Sequence, residues 1–416
     1  MSIKDLSKRL VFRELAEKAK DKRATYGEDI DISIFDEPEE YSEVDALSKL
    51  PPEIQNAAIS SGIDVTENER SGSFVQLDHT VIYQKIQDAY KGQIEIMSVT
   101  DALEKYPELE EYWWRTVSVD QDKYTAYAEL YPMHGYFIRV LPGQKVDRSI
   151  QACLMLQENA RTQSVHNIII MEEGSEAQII TGCSLSPKVQ EGLHIGISEF
   201  FIKKNAKLVF TMIHNWAPGF HVRPRSGAIV EDNGVFISNY VLLKPVKSVQ
   251  MLPTAKLVGK NSKARFNSLL YGLKDSKIDV GSRIILVGEN SSGEAISRAI
   301  VADNSQIYAR GTLVGQNDKS KAHLDCRGIL FSKEGTMYAI PELIADKAPE
   351  SILSHEAAIG PIAEEEVEYL MSRGLSKEEA VSLITQGFMD VKILGLPKHL
   401  EDYIKRMIEL TQKESM

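Results

Sequence analysis

Apolar positions along this chain follow three successive rhythms. Up to about residue 130 they recur mostly at helical spacing. Leu6, Leu10 and Leu15, with Ala16 and Ala19, make one stripe of a helix. Further helical pieces are expected over residues 83–90 and 108–116, the second carrying Trp113 and Trp114 as core or interface anchors. The acidic, proline-containing stretch 29–43 reads as a solvated linker. From about 136 to 340 the rhythm shortens, and β-branched runs alternate with turn clusters, as in FFIKKNAKLVFTMI and GAIVEDNGVFISNYVLL. Asn205, Asn233, Asn261 and Asn290 recur every 28 or 29 residues, and Asn304 follows at about half that interval. Such an interval is a repeat signature.

Each repeat reads as strand, tight Asn/Gly/Ser turn, strand. No helical stretch between them is long enough for the crossovers of a doubly wound sheet. The expected fold is therefore mainly β: a β-helix with inward Val/Ile/Leu ladders forming one core. A β-sandwich is the alternative. After Ala348 helical spacing returns. Val367, Leu370 and Met371 form a stripe ended by Gly374 at a C-cap position. Ser376 and Glu379 form a capping-box pair ahead of Ala380, Leu383 and Ile384. Pro397 suits the first turn of a last helix with Leu400, Tyr403, Ile404 and Met407. Three units follow: an N-terminal, mainly helical domain over 1–130, a β-helix core over 131–346 and a C-terminal helical domain over 347–416.

Composition narrows the function. A formal net charge of −12 over 416 residues argues against nucleic acid as the main partner. No apolar run approaches the roughly 20 residues of a membrane span. The charged N-terminus lacks a signal-peptide core, so a cytoplasmic location is expected. Three cysteines, Cys153, Cys183 and Cys326, are too few and too scattered for a disulfide framework. With no CxxC pair, adjacent ligands of one chain cannot close a four-cysteine site. No GxxxxGK[ST] loop is present, so no ATP is expected on this chain.

Candidate chemistry concentrates in residues 321–362. Cys326 lies between Asp325 and Arg327, and His355-Glu356 sits in a Ser-His-Glu-Ala turn. A neighbouring arginine favours a thiolate, the soft ligand iron prefers, although adjacent residues on a strand point to opposite faces and Asp325 counteracts it. A neutral imidazole also binds iron, and a carboxylate offers a labile oxygen. From the residues alone, a metal site, a catalytic pair and a buried structural cysteine beside a capping histidine all remain open. Cys153 reads as core, and His221, Arg223 and Arg225 read as a solvated basic loop.

Three stretches carry a resemblance. They are the run from HGYFIRVLPGQ to IITGCS, the turn His214-Asn215-Trp216-Ala217-Pro218-Gly219, and the ending SHEAAIGPIAEEEVEYLMSRGLSKEEAVSLITQGF. Together they resemble the SufB/SufD family, scaffolds of the SUF iron–sulfur cluster assembly machinery, over about 136–396. The resemblance implies a right-handed parallel β-helix flanked by helical domains. It implies a dimer, either a homodimer or a pair with a SufD-like chain. It also implies docking of a SufC-type ABC ATPase on the C-terminal helices, where Val367, Leu370, Leu383, Ile384 and Phe388 are the candidate contacts. A transient cluster of unspecified type would be held at the dimer interface by Cys326, His355 and Glu356. Cys183 matches the position that accepts sulfur from a donor, with His214 and Trp216 along the relay. Apo-proteins would receive the product. The chain departs from the family at His214, where a glutamine is usual, and at Met155 and Gln157, where arginine and asparagine are. Two other classes compete: a metal-free structural solenoid, and a polysaccharide-acting β-helix enzyme, which the low aromatic content and missing export signal disfavour.

Overall fold

The computed structural model describes residues 3–35, 46–66, 68–132 and 134–389, with 401, 402, 405, 406 and 409. The side chain of Leu6, residues 36–43 of the acidic stretch, and the last expected helix with Pro397, Leu400, Tyr403, Ile404 and Met407 lie outside the described residues. Of the described residues 46% are strand and 20% helix, and their centre is a parallel β-solenoid of about eight turns. Two sheets face each other across it, one of ten strands and one of eleven. Their inner faces build one continuous apolar core from Phe74 to Met337.

The asparagine corners set the register. Asn205, Asn233, Asn261 and Asn290 all adopt left-handed backbone, with φ of 57°, 54°, 55° and 55°. Asparagine tolerates that conformation better than most residues, and its amide both donates and accepts. Each amide therefore donates to the one a turn below, Nδ2 to Oδ1, at 3.0, 3.0 and 3.4 Å. Asn304 belongs to a different corner: it bonds Asp275, and Asp303 takes the left-handed position. Between corners, strands Lys207–Asn215, Val235–Leu242, Lys263–Gly272, Ser292–Val301, Lys321–Leu330 and Ile352–Gly360 stack in parallel without a register shift.

The ends of the solenoid differ from the sequence expectation. Strand Arg70–Leu77 pairs in parallel with Ser149–Leu156 and antiparallel with Thr80–Ile86, so residues from the first 130 close one end of the sheet. The helix expected over 83–90 is instead the end of that strand plus a 3-10 turn, Asp88–Tyr90; that over 108–116 is a 3-10 segment, Pro107–Glu111. The strand TVIYQKI is rich in β-branched and aromatic residues, and a sheet edge gives it backbone partners that helical spacing does not reveal. At the other end, Ile352–Gly360 is a strand, so His355 lies on the last rung and not in a turn. The first C-terminal helix, Glu364–Ser372, begins after it.

Helix Ile3–Ala19 and residues 97–130 pack on the outside of the eleven-stranded sheet, and residues 47–65 on the outside of the ten-stranded one. The imidazole of His166 stacks on Trp113 at 3.8 Å and bonds the buried Glu199 at 2.9 Å, and Glu199 also takes hydrogen bonds from Thr116. Arg223 and Arg225 are buried here and not solvated. Arg225 Nε donates to Asp122 Oδ2 at 2.8 Å, and Arg223 reaches the backbone oxygen of Glu28. Burial of both guanidiniums is tolerated because each finds several oxygen acceptors. Among the described residues no helix is long and apolar enough to cross a membrane.

Candidate functional site

Strand alternation sends every second residue of the ten-stranded sheet inward, and unshifted pairing turns those residues into columns. One interior column runs Met212, Tyr240, Ser268, Ser297, Cys326, Ala357. Beside it, Ser238, Phe266, Ala295 and Leu324 lead to His355. Cys326 and His355 thus share the inner face on the last two rungs of this sheet. His355 Nε2 is buried with no hydrogen-bond partner. Glu356 belongs to the opposite, outer face, where Arg327 donates to it at 3.0 Å. The structure brings together the thiol and the imidazole and turns the carboxylate away.

The electrostatics of Cys326 are set by burial and Asp325 and not by Arg327. Arg327 points outward and bonds Asp325 and Glu356. Burial pushes the thiol up to about 11, Asp325 adds to this, and Arg298 only partly offsets it. Cys326 is therefore a protonated thiol at neutral pH.

This end of the solenoid is uncapped among the described residues. Strands Thr336–Ala345 and Ile352–Gly360 are each the last of their sheet and pair on one side only. They expose Tyr338, Leu343, Ile344 and Ile352, the last at 67%. Unpaired strand edges with apolar side chains are templates for association.

Cys183 lies five strand spacings away from Cys326, about 24 Å. Its register partner is His214. His194 arrives from the opposite sheet, and one ligand atom from each of the three buried residues lies within 4.8 Å of the others. Trp216 closes the group, its ring 5.1 Å from that of His194 and 5.2 Å from that of His214, stacked on Phe220 at 4.7 Å. Burial raises the Cys183 thiol well above its ordinary range, presses His194 down to about 3 and takes His214 well below the usual imidazole range. Tyr240 bonds His214 Nδ1 at 3.0 Å and begins the hydroxyl-bearing part of the Cys326 column. A cavity of about 40 Å³ is lined by Tyr240, Ser268, Ser297 and Cys326; another of about 20 Å³ adjoins Met212 and Tyr240. Each has room for a water-sized molecule.

Sequence reasoning missed His194, Gln163 and Tyr240. The signal for His194 was present in EGLHIGISEF: with Leu193, Ile195 and Ile197 packed on the outer face, Gly192, His194 and Gly196 must point inward. Cys153 is core as expected, on the outer face with Met155 under the N-terminal segments, so Met155 stands off the interior column. Of the candidate contacts on the C-terminal helices, Leu383 is exposed and Leu370 and Ile384 are half-buried. Val367 is buried, and Phe388 packs with Met389 on the outer face of the ten-stranded sheet, against a cluster containing Val241, Leu269 and Tyr271.

Fold and site together define a β-solenoid protein with thiols and imidazoles along its interior and an end, uncapped among the described residues, carrying one of each. Comparison with known proteins gives this class its family. Residues 154–388 match the SUF system FeS cluster assembly, SufBD core domain. An iron-sulfur cluster assembly SufBD family protein of Methanothermobacter thermautotrophicus is 47% identical over 404 residues, covering 96% of this chain and 98% of the relative. One of Archaeoglobus fulgidus is 49% identical over 353 residues, covering 85% and 94%. One of Staphylococcus epidermidis is 26% identical over 395 residues, covering 93% and 83%. The chain belongs to the SufBD family, and its role lies in iron–sulfur cluster assembly.

Proposed function

We propose that this chain is a non-catalytic cytoplasmic scaffold on which an iron–sulfur cluster is built and from which it is released, at the uncapped end of the solenoid. The carrying observation is the shared inner face of Cys326 and His355 on the final rungs, with His355 Nε2 buried and unpartnered. A second copy of the chain, or a SufD-like partner, set edge to edge on these strands would bring a second thiol and imidazole to the same place. The exposed Tyr338, Leu343, Ile344 and Ile352 support that apposition. Iron drives the Cys326 proton off on binding, as a cation inverts the local preference of a buried thiol. Two thiolates and two imidazoles hold a nascent cluster less firmly than four thiolates do, which suits a cargo that must leave for an apo-protein. Glu356, on the outer face, would take part only after its contact with Arg327 breaks.

Sulfur enters at Cys183 in this reading, flanked by His214 and Trp216, and the Tyr240–Ser268–Ser297 column leads towards Cys326. Energy comes from a SufC-type ABC ATPase, since this sequence has no phosphate loop. Leu383, with Leu370 and Ile384, offers it a docking face, while Val367 and Phe388 hold the helices to themselves and to the sheet. ATP-driven movement of that partner would open the scaffold interface.

The test is anaerobic reconstitution of the full chain with its ATPase partner, ferrous iron and sulfide. Cys326→Ala should abolish the visible cluster absorption, and His355→Ala should reduce cluster yield or lifetime. A cluster yield in Cys326→Ala equal to that of the unmodified chain would overturn the reading.

A further inference from the structure

We propose that Cys183, His194 and His214 form a second metal site, inside the solenoid and separate from the Cys326 end, for a single thiophilic divalent ion such as Zn²⁺ or Fe²⁺. The three donors are fully buried and converge from different strands, His194 from Glu191–Ile202 and the others from neighbouring rungs of the facing sheet. One thiolate and two imidazoles, with a fourth position left to a small exogenous ligand, is a donor set that zinc and iron accept.

The tautomer of His194 is arranged for it. Gln163 Nε2 donates to the backbone oxygens of Asp78 at 2.8 Å and Met155 at 3.2 Å. That fixes the amide, so its Oε1 faces His194 Nδ1 at 3.0 Å and must accept. His194 therefore carries its proton on Nδ1 and keeps a lone pair on Nε2. Gly196, two residues along the same strand, leaves the space that nitrogen occupies: a Cβ there would meet His194 Nε2 at 2.9 Å. His214 is held through Nδ1, 3.0 Å from a Tyr240 hydroxyl able to accept its proton, and its Nε2 is buried with no hydrogen-bond partner. Ligand imidazoles held through the other ring nitrogen are the usual outer shell of a metal site. The Nε1–H of Trp216, whose ring lies beside both imidazoles, is likewise buried without an acceptor. Burial keeps both imidazoles neutral, the form that ligates metal.

Bond lengths of 2.0–2.3 Å require donors about 3.3–3.7 Å apart in a tetrahedral site. Donors now within 4.8 Å of one another close by about 1 Å through side-chain rotation. Binding replaces the Cys183 S–H bond with a metal–sulfur bond and releases one proton to solvent, with no change of oxidation state. Metal and transferred sulfur then compete for the same Sγ, so a loaded site silences Cys183 as a sulfur acceptor. Cluster assembly from free sulfide at Cys326 does not depend on it.

Co²⁺ reports the site directly. The full chain refolded with Co²⁺ should bind about one ion per chain through one cysteine. It should show a near-ultraviolet thiolate-to-cobalt charge-transfer band and intense tetrahedral visible bands. Cys183→Ser should remove the charge-transfer band, and Cys326→Ser should leave it. His194→Gln serves as the alternative should Cys183→Ser not fold, and should weaken Co²⁺ binding while the chain stays folded. Gln163→Leu, which touches no metal, should lower affinity by about 10–100-fold. A band that survives Cys183→Ser, a band lost in Cys326→Ser, or no Co²⁺ retained by the refolded unmodified chain would overturn the proposal. Those outcomes are read without cluster assembly, so they leave the scaffold reading to its own test.

Discussion

The protonation of Cys326 is open to a quantitative test, with pH as the perturbation. An ordinary cysteine titrates near 8.5 and is about one-quarter thiolate at pH 8. With its pKa pushed up to about 11, Cys326 is thiolate in only about one molecule in a thousand at that pH. Its alkylation should therefore be slower than that of a free thiol by on the order of 200-fold from ionisation alone, before steric protection is counted. Labelling the folded, metal-free chain with iodoacetamide from pH 7 to 11.5, with mass spectrometry of each cysteine peptide, gives the profile. The rate at Cys326 should keep rising about tenfold per pH unit through pH 10. Asp325→Asn removes the second cause of the upward shift and should move the profile to lower pH. The stability consequence has a definite sign. A thiol with a raised folded-state pKa favours folding fully below about pH 8.5 and loses that contribution as pH climbs to about 11, amounting to roughly 3 kcal/mol. A labelling profile that levels off at or below pH 8.5 would refute the reasoning and restore Cys326 as a thiolate at rest.

Two further outcomes follow from the scaffold itself. Asn233→Gly keeps the left-handed corner but removes two side-chain ladder bonds, and should cost about 1 kcal/mol; Asn233→Ala adds the left-handed penalty of a β-carbon, a further 1–2 kcal/mol, so the two denaturation midpoints should separate in that order. Arg225→Met leaves the Asp122 carboxylate buried without its guanidinium and should cost about 3–5 kcal/mol, seen as early proteolytic cleavage within the first 130 residues while the solenoid resists.

Local chemistry was legible wherever it repeats. The asparagine interval gave away the solenoid because each turn solves the same backbone problem, a left-handed corner, with the same residue. The capping box at Ser376 and Glu379 was equally readable, since it is satisfied within one helix turn: Ser376 Oγ accepts from Glu379 N, and Glu379 returns the bond. Strand edges were not legible. Residues 80–86 and 352–360 become strands because a neighbouring strand offers them hydrogen-bonding partners, and only the first, TVIYQKI, carries strand-forming residues that could have said so. The basic residues Arg223 and Arg225 misled for a related reason: charge alone reads as exposure, whereas Asp122 for Arg225, and the backbone oxygens of Glu28 and Ser248 for Arg223, allow them inside.

The chain's own residues thus determined the class of architecture and marked the candidate cysteines. Tertiary structure decided which of those residues meet. Alternation and register placed Cys326 with His355 and turned Glu356 away, a distinction invisible to adjacency along the chain. Facing strands of two sheets brought His194 to Cys183 and His214, and burial stripped all three of water. Sequence carries residue type and spacing; convergence, desolvation and the free lone pair on an imidazole arise only when distant rungs close on one another.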